Sequence, residues 1–137
     1  MLTLKPLAVA KDYAEVKARI PWELAALTTS EAPWTSYLAF DREGAAVGAC
    51  AFKSAPDKNR EVEITYLTFP EHEKRGYGTA MVLLLLEIAA KSDEVGHVVA
   101  QTLPEENASV RICRRVGFAF AGEVIDPDDG KVWRWRK

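Results

Sequence analysis

Residues 61–90, EVEITYLTFPEHEKRGYGTAMVLLLLEIAA, decide the fold of this chain. The first part is rich in β-branched and aromatic residues and predicts a strand over residues 61–69. A polar stretch with two glycines follows, and the apolar run after it predicts a helix from about Tyr77 to Lys91. A strand that passes through a short turn into a helix is typical of an α/β domain.

The rest of the chain predicts further strands and helices. Pro21 suits the first turn of a helix, and Gly117 suits the left-handed cap that ends one. The predicted strands cover residues 2–9, 37–41, 45–52, 95–103, 118–125 and 132–136, and the other predicted helices cover 11–20, 22–27 and 107–116. The order βααβββαβαββ predicts a single α/β domain over residues 1–137 with a mixed sheet.

Composition narrows the class of protein. The 137 residues are 48% hydrophobic and 28% charged, as in an ordinary soluble globular domain. A net charge of −2 argues against a general electrostatic grip on nucleic acid. Cys50 and Cys113 form no CxxC pair, so neither a metal site nor a disulfide framework is predicted. The longest apolar run is too short for a bilayer and no signal peptide is evident, so we expect a cytoplasmic protein without a membrane partner.

The turn before the helix predicted from Tyr77 is a candidate anion site. A helix N-terminus presents unpaired N–H groups, and glycine lets the backbone approach an anion closely. A plain strand-to-helix turn is the alternative reading. No GxxxxGK[ST] loop is present, and Met81 stands where a dinucleotide fingerprint needs its third glycine. The residues that could cradle a pyrophosphate are Lys74, Arg75, Gly76, Tyr77, Gly78 and Thr79.

Two blocks of sequence resemble one family. EITYLTFPEHEKRGYGTAM is similar to the acetyl-CoA-binding motif of the GNAT superfamily of N-acetyltransferases, written Q/R-x-x-G-x-G/A after a strand. ENASVRICRRVGFAFAGEV and the closing GKVWRWRK resemble the later part of the branch that acetylates ribosomal-protein N-termini. The resemblance implies a GNAT-like domain with a mixed, mostly antiparallel sheet flanked by helices. It also implies an acetyl-CoA-dependent N-acetyltransferase.

The sequence departs from the family pattern at three places. Glu73 stands at the motif position that is usually Gln or Arg. Glu106 stands where family members often have Asn, and Asn107 follows it. Cys113 replaces a tyrosine often found four residues before the glycine of the Gly-Phe pair.

The resemblance also implies where the cofactor binds. The pyrophosphate is expected on the backbone of residues 74–79, and the pantetheine arm beside residues 67–69, pairing like an added strand. A splay of the sheet at that point would expose N–H groups toward the thioester. Arg111, Arg114 and Arg115 either touch the 3′-phosphate or form a solvated helix face. The expected cofactor-binding residues are Leu67, Thr68, Phe69, Lys74, Arg75, Gly76, Tyr77, Gly78, Thr79 and Asn107.

Acetyl transfer to an amine needs a base, donors for an oxyanion, and a proton for the departing thiolate. For the base the family pattern favours Glu63, which is otherwise a solvated or salt-bridged strand residue. Glu61 lies on the same strand face and is the substitute. For the acid we expect Cys113, which is otherwise a small buried hydrophobe, with Ser109 as another donor. His72 and His97 are expected to be solvated or structural.

Nothing in the sequence marks an activated nucleophile, so direct transfer in a ternary complex is predicted. The acceptor is a small-molecule amine, a protein N-terminus or a lysine, and a homodimer is possible. Trp22 and Trp34 either line the acceptor pocket or pack in the core, and Trp133 and Trp135 are expected to pack on the sheet. The rival functions are a non-catalytic CoA or acyl-CoA sensor and a nucleotide-binding protein that uses the same loop.

Overall fold

A seven-stranded sheet organises the molecule. The computed structural model describes residues 2–7, 17–20 and 31–137. Within them the elements, in chain order, are β1 (Thr3–Pro6), β2 (Ser36–Phe40), β3 (Ala46–Phe52), β4 (Glu61–Thr68), α1 (Tyr77–Ala90), β5 (His97–Thr102), α2 (Ala108–Val116), β6 (Ala119–Asp126) and β7 (Gly130–Arg136). Short 3-10 turns cover Lys17–Arg19 and Pro70–His72.

The strands lie in the order β1-β2-β3-β4-β5-β7-β6. Neighbouring strands are antiparallel except for β4 and β5, which are parallel and are connected by α1. The predicted α/β class with a mixed, mostly antiparallel sheet is therefore confirmed. Of the helix predicted over residues 11–20, the described part, Lys17–Arg19, is a 3-10 turn, and the helix predicted over 22–27 lies outside the described residues.

Local sequence explains the central elements. In β4, buried Val62 and Ile64 alternate with half-buried glutamates, which is the period of a strand with two different faces. Helix α1 starts after Gly76, whose φ of 83° is left-handed, and buries Met81 and Leu85 one turn apart. Within the described ranges no helix is long and apolar enough to cross a membrane.

Apolar side chains cover both faces of the sheet. On one face Val62 and Ile64 of β4 pack with Met81 and Leu85 of α1 and with Cys113 of α2. On the other face Leu7, Ile20, Leu38, Phe40 and Phe69 form a second cluster. Burial of this area is the main source of stability, and it fixes β4 between the two layers.

Candidate functional site

Strands β4 and β5 are paired over only part of their length. The pairing runs from Glu61–His97 to Ile64–Ala100 and then stops. Beyond that point β4 pairs with β3, while Gln101 and Thr102 of β5 pair with β7. A gap therefore opens between the strands. We call Glu61–Ile64 the paired half of β4 and residues 65–68 its free half.

The backbone of the free half points into this gap at every second residue. Lys53 N–H donates to Glu63 O over 2.8 Å, and Phe69 N–H donates to Val47 O over 2.9 Å, so the odd-numbered residues bond β3. Alternation directs the backbone groups of Tyr66 and Thr68 into the gap. Phe69, expected beside the pantetheine, has its amide on Val47 and its side chain 1% exposed, so it offers the gap neither group. The backbone groups of Leu67 point toward β3, as those of Phe69 do. A ligand that pairs with β4 like an added strand would therefore bond the backbone of Tyr66 and Thr68.

A groove of about 440 Å³ lies at this end of β4. The free half of β4, the turn before α1 and the start of α1 form one side of it, and α2 forms the other. Seven residues expected at the cofactor line the groove, and Phe69, Arg75 and Asn107 do not. The lining consists of Tyr66, Leu67, Thr68, Glu73, Lys74, Gly76, Tyr77, Gly78, Thr79, Ala108, Ser109, Arg111, Ile112 and Arg115.

The N-terminus of α1 opens into the groove. Gly76 is the N-cap and has no side chain to satisfy the first-turn amides, which are therefore available to an anion. At Gly78 the two helices approach so closely that a Cβ would lie 2.8 Å from Ile112 Cδ1. Lys74 adds positive charge to the lining, and exposed Glu73 adds negative charge. This arrangement fits a ligand that carries a diphosphate.

Helix α2 divides the predicted cluster of three arginines. Arg111 and Arg115, one turn apart, line the groove. Arg114 turns away: its two terminal nitrogens donate to Glu106 over 2.7 and 2.8 Å, which lowers the pKa of that carboxyl. Asn107, expected at the cofactor, instead caps α2 by accepting a 2.9 Å hydrogen bond from Val110 N–H.

The two candidate bases lie on the sheet face opposite the helices. Glu63 Oε2 is 3.1 Å from Lys53 Nζ, and its Oε1 is 3.9 Å from Arg134. Glu61 Oε2 is 3.0 Å from Arg136. Each carboxylate therefore forms ion pairs with side chains on nearby strands or turns. Glu63 is the nearer of the two to the point where β4 and β5 part, and neither lines the groove.

The candidate acid, Cys113, is 1% exposed and sits in the core between sheet and helices. Burial raises the pKa of its thiol. Its sulfur lies 3.9 Å from the hydroxyl of Tyr66, a half-buried residue of the free half that lines the groove. Tyr66 was not predicted from the sequence, although the period of two along the strand places it on the helix side with Val62 and Ile64.

The other described candidates do not line the groove. Trp34 packs edge-on against Phe52 with ring centroids 5.0 Å apart, which assigns it to the core. Trp135 Nε1 donates to Thr102 Oγ1 over 3.0 Å and is also structural. His72 is half-buried beside Tyr77, and His97 is exposed at the start of β5. Trp22 lies outside the described residues. Among those described, no three His, Cys, Asp or Glu side chains form a group that could hold a metal ion.

Solved structures with the same fold include three acetyltransferases. Spermidine/spermine N-acetyltransferase SpeG from Vibrio cholerae matches with a TM-score of 0.78 and 15% identity over 99% of this chain and 91% of that one. Aminoglycoside acetyltransferase AAC(6')-Ib with coenzyme A matches at 0.71 and 18% over 100% and 94%. RimL, a ribosomal L7/L12 α-N-protein acetyltransferase with coenzyme A, matches at 0.66 and 18% over 74% of this chain and 60% of that one.

Sequence comparison gives the family. No curated protein matches the sequence significantly. The acetyltransferase (GNAT) domain family matches residues 3–119, which include the divergence of β4 from β5, the turn before α1 and all of α2. This match covers most of the chain and confirms the resemblance seen in the two sequence blocks. The chain therefore belongs to the GNAT acetyltransferase family, whose acetyl donor is acetyl-CoA.

Proposed function

We propose that this chain, as one domain over residues 1–137, transfers the acetyl group of acetyl-CoA directly to a primary amine in a ternary complex. The observation that carries the proposal is the divergence of β4 from β5 beside an uncapped N-terminus of α1. The unpaired backbone of β4 can bond an extended ligand arm, and the amides at the start of α1 can bond a diphosphate. Acetyl-CoA supplies an acetyl group already activated as a thioester.

Several residues of the groove have a proposed task. The amides at the start of α1 hold the diphosphate, and Lys74, Arg111 and Arg115 offset its charge. Tyr66 and Thr68 pair through their backbones with the pantetheine arm. Other predicted contacts, Arg75 and Asn107, lie outside the lining and are given no task.

Glu63 is the proposed base, and it acts through the gap from the opposite face of the sheet. Its carboxylate lies beside Lys53 and Arg134, and as the base it would accept the proton that the amine loses. The departing thiolate also needs a proton. Cys113 and Tyr66 lie side by side as candidate donors.

The acceptor class is an amine. The named acceptors of the similar structures, spermidine or spermine, an aminoglycoside and the α-amino group of a ribosomal protein, are small molecules or a protein terminus. These support the class without selecting a member of it. A homodimer remains a prediction.

Two measurements test this function. Calorimetry with CoA, acetyl-CoA, ATP and NAD should show uptake of the first two only, and a ligand at 100 times its Kd should stabilise the protein by about 2.7 kcal/mol. Thiol release should then be followed with spermidine, an aminoglycoside, lysine and a peptide N-terminus. Binding of CoA without turnover of any acceptor would favour a sensor. Uptake of ATP or NAD alone would favour a nucleotide-binding protein.

A further inference from the structure

The structure places a second proton donor beside Cys113, on the groove side. We propose that Tyr66, and not Cys113, gives its proton to the sulfur of CoA when the acetyl group leaves. This inference rests on the proposed acetyl transfer. It concerns a strand residue that the sequence motifs do not single out.

The position of Tyr66 fits that task. It lies in the middle of the free half of β4, so its backbone faces the gap while its side chain faces α2. Tyr66 lines the groove, and Cys113 does not. A ligand arm that pairs with the backbone of Tyr66 and Thr68 would therefore bring its end close to the phenol before it could reach the buried thiol.

The hydroxyl of Tyr66 is only loosely bonded within the protein. Its contacts are the carbonyl oxygen of Ser109 at 3.5 Å and the sulfur of Cys113 at 3.9 Å. A good O–H···O bond is about 2.7–2.8 Å long. The phenolic proton is therefore free to turn toward a stronger acceptor in the groove, and a thiolate is such an acceptor.

A second tyrosine–cysteine pair shows what a committed hydroxyl looks like. Tyr37 and Cys50 are cross-strand partners on β2 and β3, and both are buried. Tyr37 Oη donates to Pro33 O over 2.7 Å, a short bond that fixes its proton. The pair at the groove has the same residue types without that bond.

Burial keeps both candidate donors, Tyr66 and Cys113, protonated at neutral pH. It raises the pKa of Tyr66 well above its usual value, and it raises the pKa of Cys113 in the same direction. The protonation state therefore does not show which of the two groups is the acid. Tyr66 is preferred because it lines the groove and Cys113 does not.

The proton transfer balances as follows. When the carbon–sulfur bond breaks, its electron pair stays on sulfur, and the proton of Tyr66 Oη passes to that sulfur to give free CoA thiol. The phenolate then takes a proton from water that enters the groove. The ammonium acceptor loses two protons in becoming an amide, one ends on the thiol, and the reaction releases one to solvent.

The first test compares three single substitutions in the full chain. Tyr66→Phe removes the hydroxyl and keeps the ring, and kcat should fall by about 100-fold because a general acid contributes at least that much. The Kd for CoA should change by less than about 2-fold, since the phenol is not needed to hold the diphosphate. Cys113→Ala should lower kcat by less than about 5-fold. Tyr37→Phe is the matched control, with one buried hydroxyl lost away from the groove and kcat unchanged.

The second test does not depend on turnover. CoA carrying carbon-13 next to its sulfur is bound to the protein, and the chemical shift is followed against pH as the thiol ionises. A hydrogen bond from Tyr66 to the thiolate should lower the midpoint of this titration by about one pH unit relative to Tyr66→Phe. Cys113→Ala should keep the low midpoint.

Two outcomes would overturn the assignment. One is a kcat that falls with Cys113→Ala and survives Tyr66→Phe. The other is an equal midpoint in the wild-type protein and in Tyr66→Phe. A protein that binds CoA, shows the lowered midpoint and acetylates nothing would refute the proposed activity while leaving the contact between phenol and sulfur intact.

Discussion

The two halves of β4 differ in their neighbours more than in their composition. Both contain β-branched residues, but the free half pairs with β3 along its whole length and the paired half meets β3 only at Ile64. The paired half is bonded to β5 instead, and the free half lacks that partner. This candidate site therefore arises where a strand loses a neighbour. Four substitutions, each with a control, test the difference between the two halves and its consequences.

The largest effect, on the free energy of unfolding, is expected in the free half of β4, which pairs with β3 and not with β5. Gly48 faces Thr68, and a Cβ at Gly48 would overlap the carbonyl oxygen of Leu67. Gly48→Ala must therefore push the two backbones apart, and we expect the free energy of unfolding to fall by about 3 kcal/mol. Urea denaturation measures the loss.

The control for this substitution is Gly44→Ala in the hairpin between β2 and β3. Gly44 has a φ of 87° and no atom within 4 Å of an added Cβ, so only backbone strain is added. That strain costs about 1 kcal/mol. Equal losses at both sites would mean that the close contact with β4 does not matter.

The next largest effect tests whether the paired half takes part in the chemistry. Glu63→Gln keeps the shape of the side chain and removes the proposed base, so kcat should fall by about 100-fold. Glu61→Gln, which loses an ion pair on the same face, should leave kcat within about 3-fold. Rates with a saturating amine give the comparison. If kcat falls equally in the two variants, the loss reflects the negative charge on this face of the sheet and not a specific role of Glu63 as the base.

A smaller effect is expected where α1 meets the groove. Gly78→Ala adds a methyl group between α1 and Ile112, at the place where a diphosphate would approach the first turn. We expect the Kd for CoA to rise by about 10-fold, measured by calorimetry. Ala80→Gly weakens the same turn of the helix without adding an atom, and its Kd should stay near that of the wild type. A rise with Ala80→Gly alone would assign the effect to helix stability.

The smallest effect concerns the turn that follows the free half. The hydrogen bond from Arg19 lowers the pKa of Glu71 from 4.5 to about 2. The ion pair therefore contributes stability above pH 4.5, and this contribution is lost as the pH falls toward 2. Both side chains are exposed, so the contribution is small.

Glu71→Gln should accordingly lower the melting temperature slightly at neutral pH and match the wild type near pH 2. Glu106→Gln removes a comparable exposed ion pair, with Arg114 of α2, outside the groove lining and serves as the control. A difference between Glu71→Gln and the wild type that persists in acid would show that the carboxylate charge is not the cause.

The strongest patterns in the sequence predicted the strands and helices of the described region closely. The β-branched and aromatic residues of β4 predicted its bounds to within one residue, and Gly117 ends α2 in the predicted left-handed conformation, with a φ of 99°. These features depend on neighbouring residues along the chain. For the same reason the position of Gly76 before α1 was predictable.

The geometry of the site was less predictable because it depends on distant partners. The point where β4 leaves β5 is set by the pairing of Gln101 and Thr102 with β7, which no local pattern encodes. Arg114 points away from the groove because its side chain is hydrogen-bonded to Glu106. Arg111 lines the groove. Tyr66 was missed because its role depends on what α2 brings beside it.

Among the described strands, the parallel pairing of β4 with β5 also bears on how the molecule folds. It joins two antiparallel groups, β1 to β4 and β5 to β7, whose internal connections are mostly shorter than the α1 crossover. Closing the longer connection costs more chain entropy, so the two groups are expected to form before they dock. The groove lies along that docking seam, with walls from both sides. A ligand bound there would contact both groups and hold them together. Its release and the separation of the two groups would then be coupled.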